Sequence, residues 1–185
     1  HLDHRNNDNT LLPSPENISR IIEAYHKTKE EQKACSEEFE IKGLWAEWIS
    51  INYGSVIDAL NEKNIEKLSV IYENLFREQC GIGTGGYDEY IRYKSLFGGL
   101  YTKYVWSKYR NILEDIDFDL SKLNFPMIGN PCGVLFNNKV IPIESLRHTY
   151  RAHEINLLLK DIQNPVIAEI GGGLGGLAFQ AITQR

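Results

Sequence analysis

A length of 185 residues allows one or two domains around a sizeable core, and 42% hydrophobic with 24% charged residues is ordinary globular composition. The net charge of −5 excludes a general nucleic-acid binder, which needs a basic surplus. No apolar run reaches the length of a bilayer span and no charged-then-apolar leader opens the chain, so no membrane span is expected.

Cys35, Cys80 and Cys132 are odd in number and form no C-x-x-C pair. That predicts reduced thiols in a cytoplasmic setting rather than a disulfide framework or a zinc site. The chain opens on His1 and not on Met, so His1 is expected to be a boundary rather than the natural start.

Residues 1–13 are polar and aperiodic and read as a tail. A helical domain is expected over 14–126. Ser14-Pro15-Glu16 has the form of an N-cap, a proline at the first helical position and an early acid. Ile18, Ile21, Ile22 and Tyr25 keep one apolar face in the helix that follows, which is expected to fade across Lys27 to Lys33. Leu44, Trp45, Trp48 and Ile51 predict a second helix, broken at Gly54, with Val56, Ile57 and Leu60 in a short third. Asn61 to Asn64 reads as a turn, and Ile65, Leu68, Ile71, Tyr72, Leu75 and Phe76 return to helical spacing.

Cys80-Gly81-Ile82-Gly83-Thr84-Gly85-Gly86 matches G-x-G-x-x-G, but it follows a helical pattern where the fingerprint needs a strand. It reads as a helix-ending loop. Tyr87 to Arg110 predicts one or two helices interrupted at Gly98-Gly99. Tyr90, Tyr93, Phe97, Tyr101 and Tyr104 recur there at helical spacing, with Arg92, Lys94, Lys103, Lys108 and Arg110 among them and no acid between. Such a row is more often core beneath a solvated basic face than a platform for sugar rings or a phosphate-bearing carrier. Asp115-Ile116-Asp117-Phe118-Asp119 starts like a calcium loop, yet Leu120 replaces the needed glycine and Pro126 the bidentate Glu, which rejects it.

A β-hairpin is expected within 127–143: Val134 to Phe136, a turn at Asn137-Asn138, then Lys139 to Ile141. A linking helix is expected within 144–163, with Leu146, Tyr150, His153 and Leu157 on one face. His148 and His153 lie five apart and do not share a face as a metal pair would, so no metal site is expected.

Residues 164–185 carry the most specific signal. Asn164-Pro165-Val166-Ile167-Ala168 is an apolar run of the kind that makes a buried parallel strand. Glu169-Ile170-Gly171-Gly172-Gly173-Leu174-Gly175 follows, and Gly176 to Ile182 opens a helix. Gly171 and Gly173 let the chain turn sharply against a ligand, and Gly175 and Gly176 let the helix pack closely. The first N–H groups of that helix would receive a carboxylate or phosphate, and Glu169 would receive a cationic group. A carboxylate in that place suits S-adenosylmethionine, which carries an ammonium, a sulfonium and one carboxylate, better than a pyrophosphate. Two rival readings stay open. One is a nicotinamide or flavin oxidoreductase using Gly171, Gly173 and Gly176; the other is a non-enzymatic helical interaction module.

Glu169-Ile170-Gly171-Gly172-Gly173-Leu174-Gly175 resembles motif I of class I S-adenosylmethionine-dependent methyltransferases, acid-x-G-x-G-x-G. Together with Ile128-Gly129-Asn130-Pro131-Cys132-Gly133 and Leu146-Arg147-His148-Thr149-Tyr150, it resembles the sugar O-methyltransferases of bacterial surface-polysaccharide clusters. The resemblance implies a mainly α N-terminal region with a β-hairpin, followed by the first strand-turn-helix of a truncated α/β Rossmann-like methyltransferase domain. It implies S-adenosyl-L-methionine as cofactor, held by Glu169, Gly171, Gly172, Gly173 and Gly175. Arg147 or Arg151 is expected to pair with the cofactor carboxylate, and Tyr150 to shield the sulfonium. It also implies a small-molecule or glycan acceptor and leaves homo-oligomerisation open. The ribose-binding acid and the catalytic base are expected beyond Arg185, so these 185 residues alone are expected to be inactive.

Overall fold

The computed structural model of the chain describes residues 12–83, 86–170 and 172–185. Residues 1–11 of the tail expected over 1–13, Thr84-Gly85 of the glycine-rich loop and Gly171 of the C-terminal turn lie outside the described residues. Among the described residues the protein is mainly helical, with seven α-helices and one two-stranded antiparallel sheet. No helix there is long and apolar enough to cross a membrane. The described residues divide into two compact units, one of 12–88 with 127–131, the other of Glu89–Pro126 with Cys132–Arg185. The helices expected as one domain over 14–126 therefore fall in both.

The first unit contains α1 (Pro15–Lys33), α2 (Leu44–Asn61) and α3 (Ile65–Glu73). Ser14 caps α1 as its sequence asks, its Oγ accepting from the Asn17 N–H at 3.2 Å. Ile18 and Ile22 of α1 bury against Ala59, Leu60 and Leu68 of the next two helices. The expected break at Gly54 does not occur, and α2 runs through it. An interior glycine costs a helix about 1 kcal/mol, less than burying Ala59 and Leu60 downstream returns. The turn before α3 is as expected: Lys63 takes φ 53° and the Asn64 side chain accepts from the Lys67 N–H at 2.9 Å. Residues 127–131 return to this unit through hydrogen bonds to their carbonyls, the Phe76 N–H donating to that of Gly129 and the Arg77 side-chain Nε to that of Asn130, both at 2.9 Å. In the glycine-rich loop, the Gly83 N–H is taken by Asp88 at 3.1 Å and the Ile82 carbonyl by the Tyr53 hydroxyl at 2.7 Å.

The second unit contains most of α4 (Gly86–Tyr93), then α5 (Leu96–Asp115), β1 (Val134–Phe136), β2 (Lys139–Ile141), α6 (Ile143–Leu158) and α7 (Gly176–Thr183). The helix interruption lies at Lys94-Ser95, not at Gly98-Gly99. Ser95 caps α5 by accepting from the Gly98 N–H at 3.0 Å, and a Cβ on Gly98 would collide with the Arg92 carbonyl. Gly98 thus permits a tight passage between two helices instead of ending one. Tyr93, Trp106, Leu113, Leu123, Val134, Ile141, Ile143 and Leu146 form the core.

The hairpin has the expected turn. Asn137 and Asn138 take φ 49° and 59°, and Val134 pairs with Ile141. The linking helix buries Leu146, Thr149 and Ala152, whereas Leu157 is exposed and His153 half-buried, so its inner face is rotated from the one the spacing predicts. The run 164–168 is not the buried strand expected of it. It pairs with no neighbour among the described residues, and Val166 is 94% exposed. A strand exists only where another backbone takes up its N–H and C=O groups.

Candidate functional site

The C-terminal turn is positioned by α6 and α7. On α6, burial of Leu146, Thr149 and Ala152 fixes which side faces α7. Side-chain amides then pin the two helices: Asn156 donates to the Ala181 carbonyl at 3.3 Å and Gln184 to the Thr149 carbonyl at 3.2 Å. Gln180, buried, reaches the Asn124 carbonyl. With α7 held this way, its N-terminus and Gly172, Gly173 and Gly175 before it have a defined place.

Gly173 and Gly175 take φ 56° and 73°, a region that side-chain-bearing residues enter at a cost. The Gly175 N–H closes the turn on the Gly172 carbonyl at 2.8 Å, and α7 begins at the next residue. Gly175 offers no capping side chain, so the first N–H groups of α7 are left for another acceptor. Glu169 is exposed and folds back over the turn, where a Cβ on Gly172 would stand 2.8 Å from its carboxylate oxygen. The turn therefore sets an anionic side chain and a helix N-terminus side by side.

The α6 residue that reaches this turn is His148. A Cβ on Gly176 would stand 2.6 Å from its Nδ1, a buried atom with no hydrogen-bond partner among the described residues. On the other side of the ring, Nε2 lies 3.9 Å from Glu144. Burial pushes the imidazole below its ordinary pKa, while the carboxylates of Glu144 and Glu169 pull it back up.

Arg147, Tyr150 and Arg151 are engaged along α6. Arg147 pairs with Glu144 at 2.6 Å and Arg151 with Glu154 at 2.7 Å. Tyr150 packs against the core, its hydroxyl bonded to Glu154 and the Arg151 guanidinium 5.7 Å from its ring centroid. Each cation thus already has a carboxylate that an incoming ligand would have to replace.

One titratable group escaped the sequence reading. Glu89 of α4 is only 7% exposed and accepts from the Tyr93 hydroxyl at 3.3 Å. Burial, reinforced by the Glu144 carboxylate, pushes its carboxyl up to about 8, against the pull of Tyr93, Arg92 and Arg147. The available signal was its spacing: Glu89 lies one helical turn before Tyr93, on the side that the aromatic row places inward. Among the described residues no group of three or more His, Cys, Asp and Glu is placed to hold a metal ion.

Chemically, the turn can receive a ligand that is anionic at one end and cationic at the other, with the N–H groups of α7 for the first and Glu169 for the second. Comparison with protein-family models, with curated proteins and with solved structures finds no match to this chain.

Proposed function

We propose that the turn over Glu169–Gly176 binds the methionine end of S-adenosyl-L-methionine, and that the protein belongs to an O-methyltransferase acting on a sugar hydroxyl in surface-polysaccharide biosynthesis. The observation that carries this reading is the pairing of an uncapped helix N-terminus with the Glu169 carboxylate across a turn whose Gly173 and Gly175 hold positive φ. The N–H groups of α7 take the cofactor carboxylate and Glu169 takes its ammonium. When bound, the sulfonium supplies an activated methyl group. In this reading the run 164–168, unpaired as it stands, would become the first strand of a Rossmann-like sheet, which would cover its apolar Val166 and Ile167.

Arg147 and Tyr150 flank His148 in sequence but project from other sides of α6, so a part for either in this reading requires Arg147 to exchange Glu144, or Tyr150 to exchange Glu154, for the cofactor. The working place of such an enzyme is the cytoplasm, where activated sugars and the cofactor are found together.

Calorimetric titration with S-adenosylhomocysteine and, separately, with NAD tests the reading. Heat of binding with the first and none with the second supports it. Binding of NAD alone would transfer the turn to the dinucleotide class.

A further inference from the structure

The outer face of α5 is apolar where a helix surface is ordinarily polar. Inward, Gly99, Thr102, Trp106 and Leu113 are buried in the second unit. Outward, Leu96, Phe97, Leu100, Tyr101 and Tyr104 are 77%, 83%, 58%, 54% and 67% exposed. Their positions fall on one stripe, since residues three and four apart are neighbours on a helix. The aromatic row that the sequence assigns to the core therefore divides: Tyr93 goes inside, while Phe97, Tyr101 and Tyr104 stay out. A helix apolar on both sides is one whose second side is covered when it works.

Charge identifies what covers it. Arg92, Lys94, Lys103 and Lys108 are exposed around the stripe, and no acid occurs between Glu89 and Glu114. Some surface cations elsewhere are paired, as Lys33 is with Glu30, Lys42 with Glu40 and Arg151 with Glu154, and others, such as Lys63, Lys139 and Lys160, make no salt bridge among the described residues; what sets this stretch apart is that its cations cluster with no acid in sequence between them. Lys94, Lys103 and Lys108 make no salt bridge among the described residues. Lys94 instead lies 4.3 Å from the centroid of the Tyr90 ring. In a chain of net charge −5, this is a local, uncompensated positive field around an apolar ridge.

We infer that this face of α5 seats the protein on an anionic bilayer surface. The ridge from Leu96 to Lys108 is about 18 Å long at the helical rise. Leu96, Phe97 and Leu100 enter the boundary of the acyl chains, Tyr101 and Tyr104 sit at headgroup level, and the lysines reach lipid phosphates. A second copy fits the face less well, because a two-fold contact through it sets the cations of one ridge against those of the other. The inference rests on exposure and charge alone and does not depend on the proposed methyl transfer.

Co-sedimentation of the full chain with vesicles tests it. Vesicles of equal parts phosphatidylglycerol and phosphatidylcholine should carry the protein down, pure phosphatidylcholine vesicles should not, and added salt should reverse the binding. Phe97→Ser with Leu100→Ser should weaken the partition by roughly tenfold or more while far-UV circular dichroism stays unchanged, since both side chains are exposed. Lys103→Glu with Lys108→Glu should remove the preference for anionic lipid. Absence of binding to the anionic vesicles by the folded protein would overturn the inference. So would unaltered binding by both double variants, or a dimer in sedimentation velocity that the serine substitutions dissolve.

Discussion

Nδ1 of His148 occupies the space that a side chain on Gly176 would need, 2.6 Å from the position of its Cβ. This contact joins α6 to the first residue of α7 and so fixes where the glycine turn lies. Gly176→Ala should therefore lower stability by about 1–3 kcal/mol, the usual range for overpacking a tight contact. In a His148→Ala background the same change should cost little, because the opposing ring is gone. Urea midpoints of the four proteins in this cycle check it, and equal costs in both backgrounds would show that the two residues are not coupled.

Glu89 gives the fold a pH dependence of definite sign. Its carboxyl titrates at about 8 when folded and near its ordinary 4.5 when unfolded, so between those values the folded state holds the extra proton. Stability is full below about 4.5 and is lost as pH rises toward 8. Glu89→Gln keeps the shape without the charge and should flatten that slope, making the variant more stable than the parent at pH 8 by on the order of a few kcal/mol. Thermal melts from pH 5 to pH 9 measure the difference between the two proteins.

His148 acts with the opposite sign. Burial holds its folded pKa below the ordinary 6.5, so the neutral ring favours the fold. That stability is present above 6.5 and is lost as pH falls through the folded value. Glu169→Gln should depress the His148 pKa further, since the carboxylate pulls it upward. Following the imidazole Cε1 proton by NMR during titration tests this, and an unchanged His148 pKa in the variant would place Glu169 out of its reach.

Asn137 and Asn138 carry the hairpin turn at φ 49° and 59°. Asn137→Val should cost about 1–2 kcal/mol, the penalty of a left-handed conformation for a bulky residue. Asn138→Gly should be neutral or slightly stabilising. Melting temperatures decide between these outcomes, and tolerance of valine would mean a different turn.

What the sequence made readable was local chemistry. Ser14-Pro15 begins a helix, Asn137-Asn138 turns a hairpin, and Gly175-Gly176 opens α7, because each depends on residues next to one another. The failures depend on distant neighbours. Gly54 looks like a break until the burial of Ala59 and Leu60 is known, and Gly98 looks like one until the Arg92 carbonyl is seen beside it. Glu89 shares the spacing of the aromatic row, but its burial, and Glu144 beside it, are set by the packing of distant segments. Val166 and Ile167 have the pattern of a strand, but strand formation requires a partner backbone that residue types alone do not supply. At the turn, the acid and the glycines were evident from their spacing, whereas His148 emerged only from the packing of α6 on α7.

The proposed function stands or falls with binding of S-adenosylmethionine by the glycine turn and Glu169 together. Amide NMR spectra of the chain, recorded with rising concentrations of that cofactor, test it most directly. Binding at the turn should give saturable shifts confined to the amides around Glu169, Gly172, Gly173, Gly175 and Gly176, weakened at least severalfold by Glu169→Gln. Shifts scattered elsewhere, or the same shifts at full strength in the Glu169→Gln protein, would contradict it.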